Sequence, residues 1–269
     1  MDLMTILGLA LGIFAVYYTM EAGGIANLIF NLPALVLVGG GTVASTLITY
    51  PWSVIKRIPK AMLFVLFPQR RLPQEWWIRV MVELAETAKR AGIDALQGEL
   101  PRFKDHFLVN GLQMVIDGLD PELVRENLEK EITFIRRRHQ QIHSVFRSMG
   151  AYAPIFGLLG TLIGVVGVLK NLTDPQAIGD SMAIAVITTF YGIFGTNFIF
   201  LPIANKLNAY TEQELLIKEV MIEGILSIQA GDIPLIVNRK LQAFLAYKLR
   251  ATRRGAGGSS GAATGIPAR

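Results

Sequence analysis

Met149–Leu172 reads MGAYAPIFGLLGTLIGVVGVLKNL, a run with no charge before Lys170, rich in glycine, with Pro154 near its start and one threonine, Thr161, in the middle. A second run of the same kind follows after a short loop. Ser181–Asn205, SMAIAVITTFYGIFGTNFIFLPIAN, has its own glycines, the pair Thr188 and Thr189, and Pro202. Both runs are long enough to cross a bilayer as helices. Neither is plain hydrocarbon. Small residues let helix backbones approach closely, and hydroxyls with prolines at membrane depth line a path or a tight interface. The pair reads as one wall of an ion path.

Composition supports a membrane protein. Of 269 residues, 52% are hydrophobic and 17% charged, with mean hydropathy +0.43. A soluble chain carries charge on about a quarter of its residues. Cysteine is absent, which removes disulfides, thiolate chemistry and Cys-ligated metal. The formal charge is +5, and the C-terminal part from Arg239 onward is basic with no acid. Such a tail suits an anionic membrane surface or simple solubility. Nucleic acid has less support, because no aromatic pattern accompanies the charge.

Two earlier apolar stretches extend the plan to four spans. Leu3–Met20 carries no charge, lacks a basic start and a cleavage-site pattern, and reads as a retained helix. Leu32–Tyr50 follows, with the run Gly39, Gly40, Gly41, and ends at Pro51. Lys56, Arg57, Lys60, Arg70 and Arg71 come next, whereas the loop before this span has no Lys or Arg. The positive-inside rule then makes residues 52–148 cytoplasmic. Within them, helical spacing of Trp76/Trp77, Val80/Met81 and Leu84/Ala85 predicts a helix over 74–91, with Arg79/Glu83 and Glu86/Arg90 four apart on its polar side. Shorter helices are expected over 93–100 and 103–118. Asp120-Pro121-Glu122 is a helix start, and Val124, Leu128, Ile132, Ile135, His139, Ile142, Phe146 and Met149 recur at steps of three and four with no breaker. The spacing predicts one helix of about 50 residues, about 75 Å long, rising into the third span. Residues 170–180 read as a loop. The fourth span continues into a helical segment over 206–250, and a Gly/Ala/Ser-rich basic tail, 251–269, reads as disordered. The expected fold is an all-α integral membrane protein: a first hairpin (1–51), a helical cytoplasmic domain (52–148), the ion-path pair (149–205), and long cytoplasmic extensions of helices three and four.

The interiors of these spans contain no Asp, Glu, Lys, Arg or His. Ion carriers keep a carboxylate inside the membrane. If this chain conducts ions, a partner supplies the carboxylate, and Thr161, Thr188 and Thr189 supply hydroxyls. The plainer reading of these threonines is hydrogen bonding to the helix backbone, in a purely structural scaffold. Pro154 and Pro202 read as kinks or, more sharply, as hinges coupling the ion site to the cytoplasmic part. His139 and His143 lie four apart, but no further ligand pattern supports a metal site. No phosphate loop or nucleophile signature is present, so no enzyme or cofactor is expected.

Several segments in order resemble the MotA/PomA family of flagellar stator subunits: PWSVIKRIP (51–59), KRAG with ALQ (89–97), VNGLQMVIDG (109–118), AYAPIFGLLGTLIGVVGVLKNL, AVITTFYGIFGTNFIFLPIANKL and KEVMIEGILSIQAG (218–231). The related TolQ/ExbB energisers share the pattern of spans three and four, but the first hairpin argues against them. The resemblance implies a bacterial inner-membrane homopentamer around two copies of a single-span MotB/PomB-type partner, which brings the membrane aspartate and a peptidoglycan-binding domain. It further implies that ion flow turns the rotor through FliG. Pro154 and Pro202 align with the family's functional prolines. The family's rotor contact pairs two basic residues with a nearby glutamate. Here the basic pair is Lys89 and Arg90, the glutamate position holds Gln97, and Glu99 lies two residues on. Either Glu99 substitutes or the basic residues act alone. GTLIG (160–164) and TTFYG (188–192) resemble sodium-type members, so the transported cation is expected to be Na⁺, with H⁺ the alternative.

Overall fold

A computed structural model describes residues 3–24, 30–67 and 72–257. Helix α1, Leu3–Ala22, is followed by α2, Leu32–Thr49. Asn31 caps α2 by accepting from the Ala34 N–H, and Pro33 occupies its first turn, where a missing N–H costs nothing. Tyr50 turns extended before Pro51 and stops it. Two short helices follow, α3, Trp52–Ile55, and α4, Ile58–Leu66. Helix α5, Gln74–Ala91, ends at Gly92, whose φ of 86° a side chain would resist.

Where a helix is expected over 93–100, two tight 3₁₀ turns form instead, Ile93–Gly98 and Leu100–Arg102, because Pro101 cannot continue an α-helix. Helix α6 is His106–Ile116, shorter than the expected 103–118, since Asp105 caps it by accepting from the N–H groups of Phe107 and Leu108. Helix α7, Pro121–Lys170, is one uninterrupted element of 50 residues. Pro154 sits within it. Helix α8, Pro175–Gln229, begins inside the segment expected to be a loop, because Asp174 caps it and Pro175 opens its first turn. Helix α9, Pro234–Gly257, runs past residue 251, where the tail was expected to lose structure. Ala251, Arg253 and Arg254 are good helix formers. Residues 258–269, like Arg70, Arg71 and Pro68, lie outside the described residues.

Two helices widen locally. Val36–Gly40 in α2 and Gly195–Phe200 in α8 are π-helical. In α8 the cause is downstream. Pro202 has no N–H to give the Phe198 carbonyl, so the ordinary ladder fails there and a wider turn takes its place.

The chain divides into two units, one of residues 1–70 and 137–210, the other of 71–136 and 211–269. In the first, α2, α7 and α8 are long and apolar enough to cross a membrane, and α1 is apolar as well. Large apolar side chains point outward, among them Leu11, Phe14, Leu158, Leu162, Val166 and Val186, as expected of surfaces that face lipid or other membrane helices. Two hydroxyl pairs tie the end of α2 to α7: Thr49 with Tyr152 at 3.0 Å, and Tyr50 with Ser148 at 2.8 Å. Helix α4 packs Ala61 and Val65 against Phe146, Ala204 and Leu207.

The second unit has an ordinary apolar core. Met81 and Leu84 of α5, Phe107, Leu108 and Leu112 of α6, Val124 and Leu128 of α7, Met221 and Ile225 of α8, and Leu241 of α9 are all buried in it. Lys218 enters this core with its ammonium 4.5 Å from the Phe107 ring centroid and 3.5 Å from Asp105. Glu83 of α5 pairs with Arg102 at 3.1 Å rather than with Arg79.

Candidate functional site

The pair α7 and α8 is held together by absent side chains. Gly157, Gly160, Gly164 and Gly167 recur at steps of three and four, so they line one stripe of α7. A Cβ on Gly157 would lie 2.9 Å from the Thr188 carbonyl oxygen, and one on Gly164 2.5 Å from the Ala185 Cβ and 2.7 Å from the Ser181 carbonyl oxygen. On Gly160 a Cβ would overlap the Thr188 side chain. The approach is reciprocal: Gly192 of α8 faces the backbone of Ala153 and Pro154. Backbones this close are the membrane solution to packing without a hydrophobic driving force.

That closeness separates the three threonines. Thr188 is fully buried against Gly160, and its hydroxyl donates to carbonyls of its own helix, Ile184 at 2.9 Å and Ala185 at 3.0 Å. It packs the helices. Thr161 and Thr189 instead meet across the interface with oxygens 2.6 Å apart, both half-buried. The Ala185 carbonyl lies 3.2 Å from the Thr161 oxygen and 3.4 Å from that of Thr189, and the Gly157 carbonyl 3.2 Å from Thr161. Two hydroxyl protons therefore serve more oxygens than they can bond well, which leaves lone pairs for a cation.

Thr189 belongs to an outward stripe of α8 with Met182, Val186, Ile193 and Asn197. Asn197 is an amide within the π-helical turn, exposed, donating to the Ile193 carbonyl at 2.9 Å. In sequence an asparagine inside an apolar run carries no motif; its position on the Thr189 stripe appears only once the helix is built. Thr196 beside it points inward and donates to the Gly150 and Gly192 carbonyls at 2.9 Å each. Pro154 and Pro202 sit in α7 and α8 on the side of the threonines toward Tyr50, the Pro51 end of α2.

Comparison with known proteins identifies the family. The model of the MotA/TolQ/ExbB proton channel family matches residues 99–220. "Motility protein A" of Treponema pallidum is 36% identical over 254 residues, covering 93% of this chain and 96% of that protein. "Chemotaxis protein PomA" of Vibrio alginolyticus is 35% identical over 249 residues, covering 91% and 96%. The chain belongs to the MotA/PomA family. It resembles the flagellar MotAB stator complex of Bacillus subtilis at a TM-score of 0.83, with 32% identity and coverage of 92% of this chain and 97% of that one. MotAB of C. jejuni gives 0.84 with 26% identity, covering 91% and 96%. A MotA-family chain is a flagellar stator subunit with an ion-channel role, not an enzyme.

In the second unit, Lys89 and Arg90 close the last turn of α5, where cations meet the negative end of the helix dipole. Both are exposed. Arg90 reaches Glu86 at 3.8 Å with its side chain still 81% exposed, so this contact holds it only loosely. Glu99 is differently placed. Its carboxylate is held by Arg102, which also takes Glu83, and the hydrogen bonds that Arg102 donates to Glu99 first and Glu83 second push its pKa further up. Gln97 is exposed instead. The structure thus leaves the basic pair accessible and ties the acid to a neighbour.

His143, on the expected histidine pair of α7, is buried. Burial, then electrostatic repulsion from His139 and Arg147, pushes its pKa below the usual value, against an opposing hydrogen bond with Asn208. A depressed histidine favours the neutral folded form, so its contribution is complete above the unfolded value of about 6.5 and is lost as pH falls below it. Thermal melts are expected to show a decline between pH 7.5 and 5.5 that is shallower in His143→Gln; equal slopes would refute this assignment.

Proposed function

We propose that this stator subunit lines a sodium path with Thr161, Thr189 and the Ala185 carbonyl, and that a MotB/PomB-type single-span partner completes it with a membrane carboxylate. The 2.6 Å approach of the two hydroxyl oxygens on a half-exposed helix face carries the reading. Na⁺ is a hard cation that must exchange hydration oxygens for others, and clustered oxygens short of protons suit it. A proton would need only the carboxylate. The absence of any charge within the spans makes the partner necessary to the cycle.

The partner's helix lies along the Thr189 stripe of α8. Four spans, with α1 and α2 as the outer hairpin, set the chain in the bacterial inner membrane with residues 52–148 and 206–250 in the cytoplasm. Five copies surround two partners and turn about them, Pro154 and Pro202 yield during each ion step, and Lys89 with Arg90 engage the rotor protein FliG. Glu99, already paired with Arg102, contributes less to that contact than the cations do.

Swimming speed measured against Na⁺ at fixed membrane potential tests the ion. Wild type is expected to stop when Na⁺ is withdrawn. Thr161→Ala removes one oxygen and is expected to raise the half-saturating Na⁺ by about tenfold, equivalent to about 1.4 kcal/mol. Thr161→Ser, which keeps the hydroxyl, should stay near wild type. Motility indifferent to Na⁺ would overturn the sodium assignment.

A further inference from the structure

The segment Trp52–Phe67 serves no step described above, and its chemistry is one-sided. Among its side chains, Val54, Ala61 and Val65 are buried, while Trp52, Met62, Leu63 and Phe67 are exposed, at 73%, 43%, 60% and 52%. Lys56, Arg57 and Lys60 are exposed alongside them. No acid occurs anywhere between Glu21 and Glu75. The described acids of this unit, Glu21, Asp174 and Asp180, all sit at the other end of the spanning helices, where α1 ends and α8 begins. The basic end is marked by the Thr49–Tyr152 and Tyr50–Ser148 pairs.

We propose that Trp52–Phe67 is a binding element for anionic phospholipid. It rests on the membrane reading above and adds a ligand to it. Leu63, Phe67 and Trp52 enter the acyl boundary, and Lys56, Arg57 and Lys60 take the headgroup phosphates, the arrangement by which amphipathic helices lie in an interface. Helix α3 begins three residues after the end of α2 and α4 three residues after α3, so the chain itself holds this face at the membrane surface. A second copy standing in the same membrane offers no described carboxylate from this unit at that level, whereas lipid phosphates lie there in abundance. The buried side of α4 rests on Phe146, Ala204 and Leu207, and Ala204 follows Pro202 by two residues. Lipid held on one face of α4 therefore braces the segment just past that proline.

The test uses the full chain with its partner subunit, reconstituted in nanodiscs of phosphatidylcholine alone or mixed equally with phosphatidylglycerol. The wild-type melting midpoint is expected to rise in the mixture by about 4 °C or more, and a variant carrying Lys56→Gln, Arg57→Gln and Lys60→Gln should lose most of that rise. An equal rise in the variant overturns the proposal. So does the same rise in phosphatidylcholine with inorganic phosphate added, which would make free phosphate the ligand. Efficient disulfide linkage between copies through Leu63→Cys would show the face covered by a second subunit, which also overturns it. All arms are read on inserted protein, so failure of insertion counts against the membrane reading and is told apart from failure of lipid binding.

Discussion

Gly164→Ala is expected to abolish swimming while leaving the protein in the membrane at normal amount. The added methyl carbon would lie 2.5 Å from the Ala185 Cβ and 2.7 Å from the Ser181 carbonyl oxygen. The second contact is backbone and cannot swing aside, so α7 and α8 must part. Overpacking of this kind costs about 1–3 kcal/mol, which a membrane protein of this size can survive. The 2.6 Å contact of Thr161 with Thr189, one turn away, cannot survive it, because it depends on the same separation. The control is chemically identical: Gly8 and Gly39 have nothing within 4 Å of an added Cβ, so Gly8→Ala and Gly39→Ala should swim. Motility counts on soft agar, with membrane fractions blotted in parallel, decide the matter. A swimming Gly164→Ala strain would show that helix separation is not what sets the site.

The largest loss of stability is expected from Phe107→Ala. Phe107 is 2% exposed in the core of the second unit, and removing so large a ring costs about 3–5 kcal/mol. The same ring covers the Lys218 ammonium at 4.5 Å, and Lys218 is only 8% exposed. Without the ring, a nearly buried cation keeps Asp105 but loses its apolar cover, adding about 0.5–2 kcal/mol. Denaturant titration followed by the fluorescence of Trp76 and Trp77, both packed on this core, gives the readout. Phe107→Leu should recover most of the loss in volume but not the cation's share. Superimposable Phe107→Ala and wild-type titrations would mean that this core is not what holds the unit together.

Much of the helical plan is legible in the chain because its signals are local. The rise of α7 from Pro121 to Lys170 follows from apolar steps of three and four with no glycine before Gly150. Caps at Asp120 and Asp174 need only a side chain and a neighbouring N–H. What escapes sequence reading depends on register or on partners distant along the chain. The π-helical turns belong to this class: Gly39–Gly41 and Pro202 permit them, but only a count of backbone bonds reveals them. Thr188 and Thr189 are neighbours of the same type, and a rotation of about 100° separates a packing residue from one that meets Thr161. Glu99 looks available in sequence, yet Arg102, which also holds Glu83 of α5, takes it up within the 3₁₀ turns.

The apolar spans 3–20, 32–50, 149–169 and 181–205 carry no Asp, Glu, Lys, Arg or His, and this bears on how the membrane voltage acts. A charge moved through the field gains about 2.3 kcal/mol per 100 mV, and a voltage sensor is a helix that carries such charges. This chain carries none there. Under the proposed function it therefore inserts, packs and pivots at nearly constant electrical energy, and polarisation does work on it only through the cation that passes and the partner's carboxylate that receives it. Expressed without its partner, it should give no displacement current when the membrane is stepped between potentials.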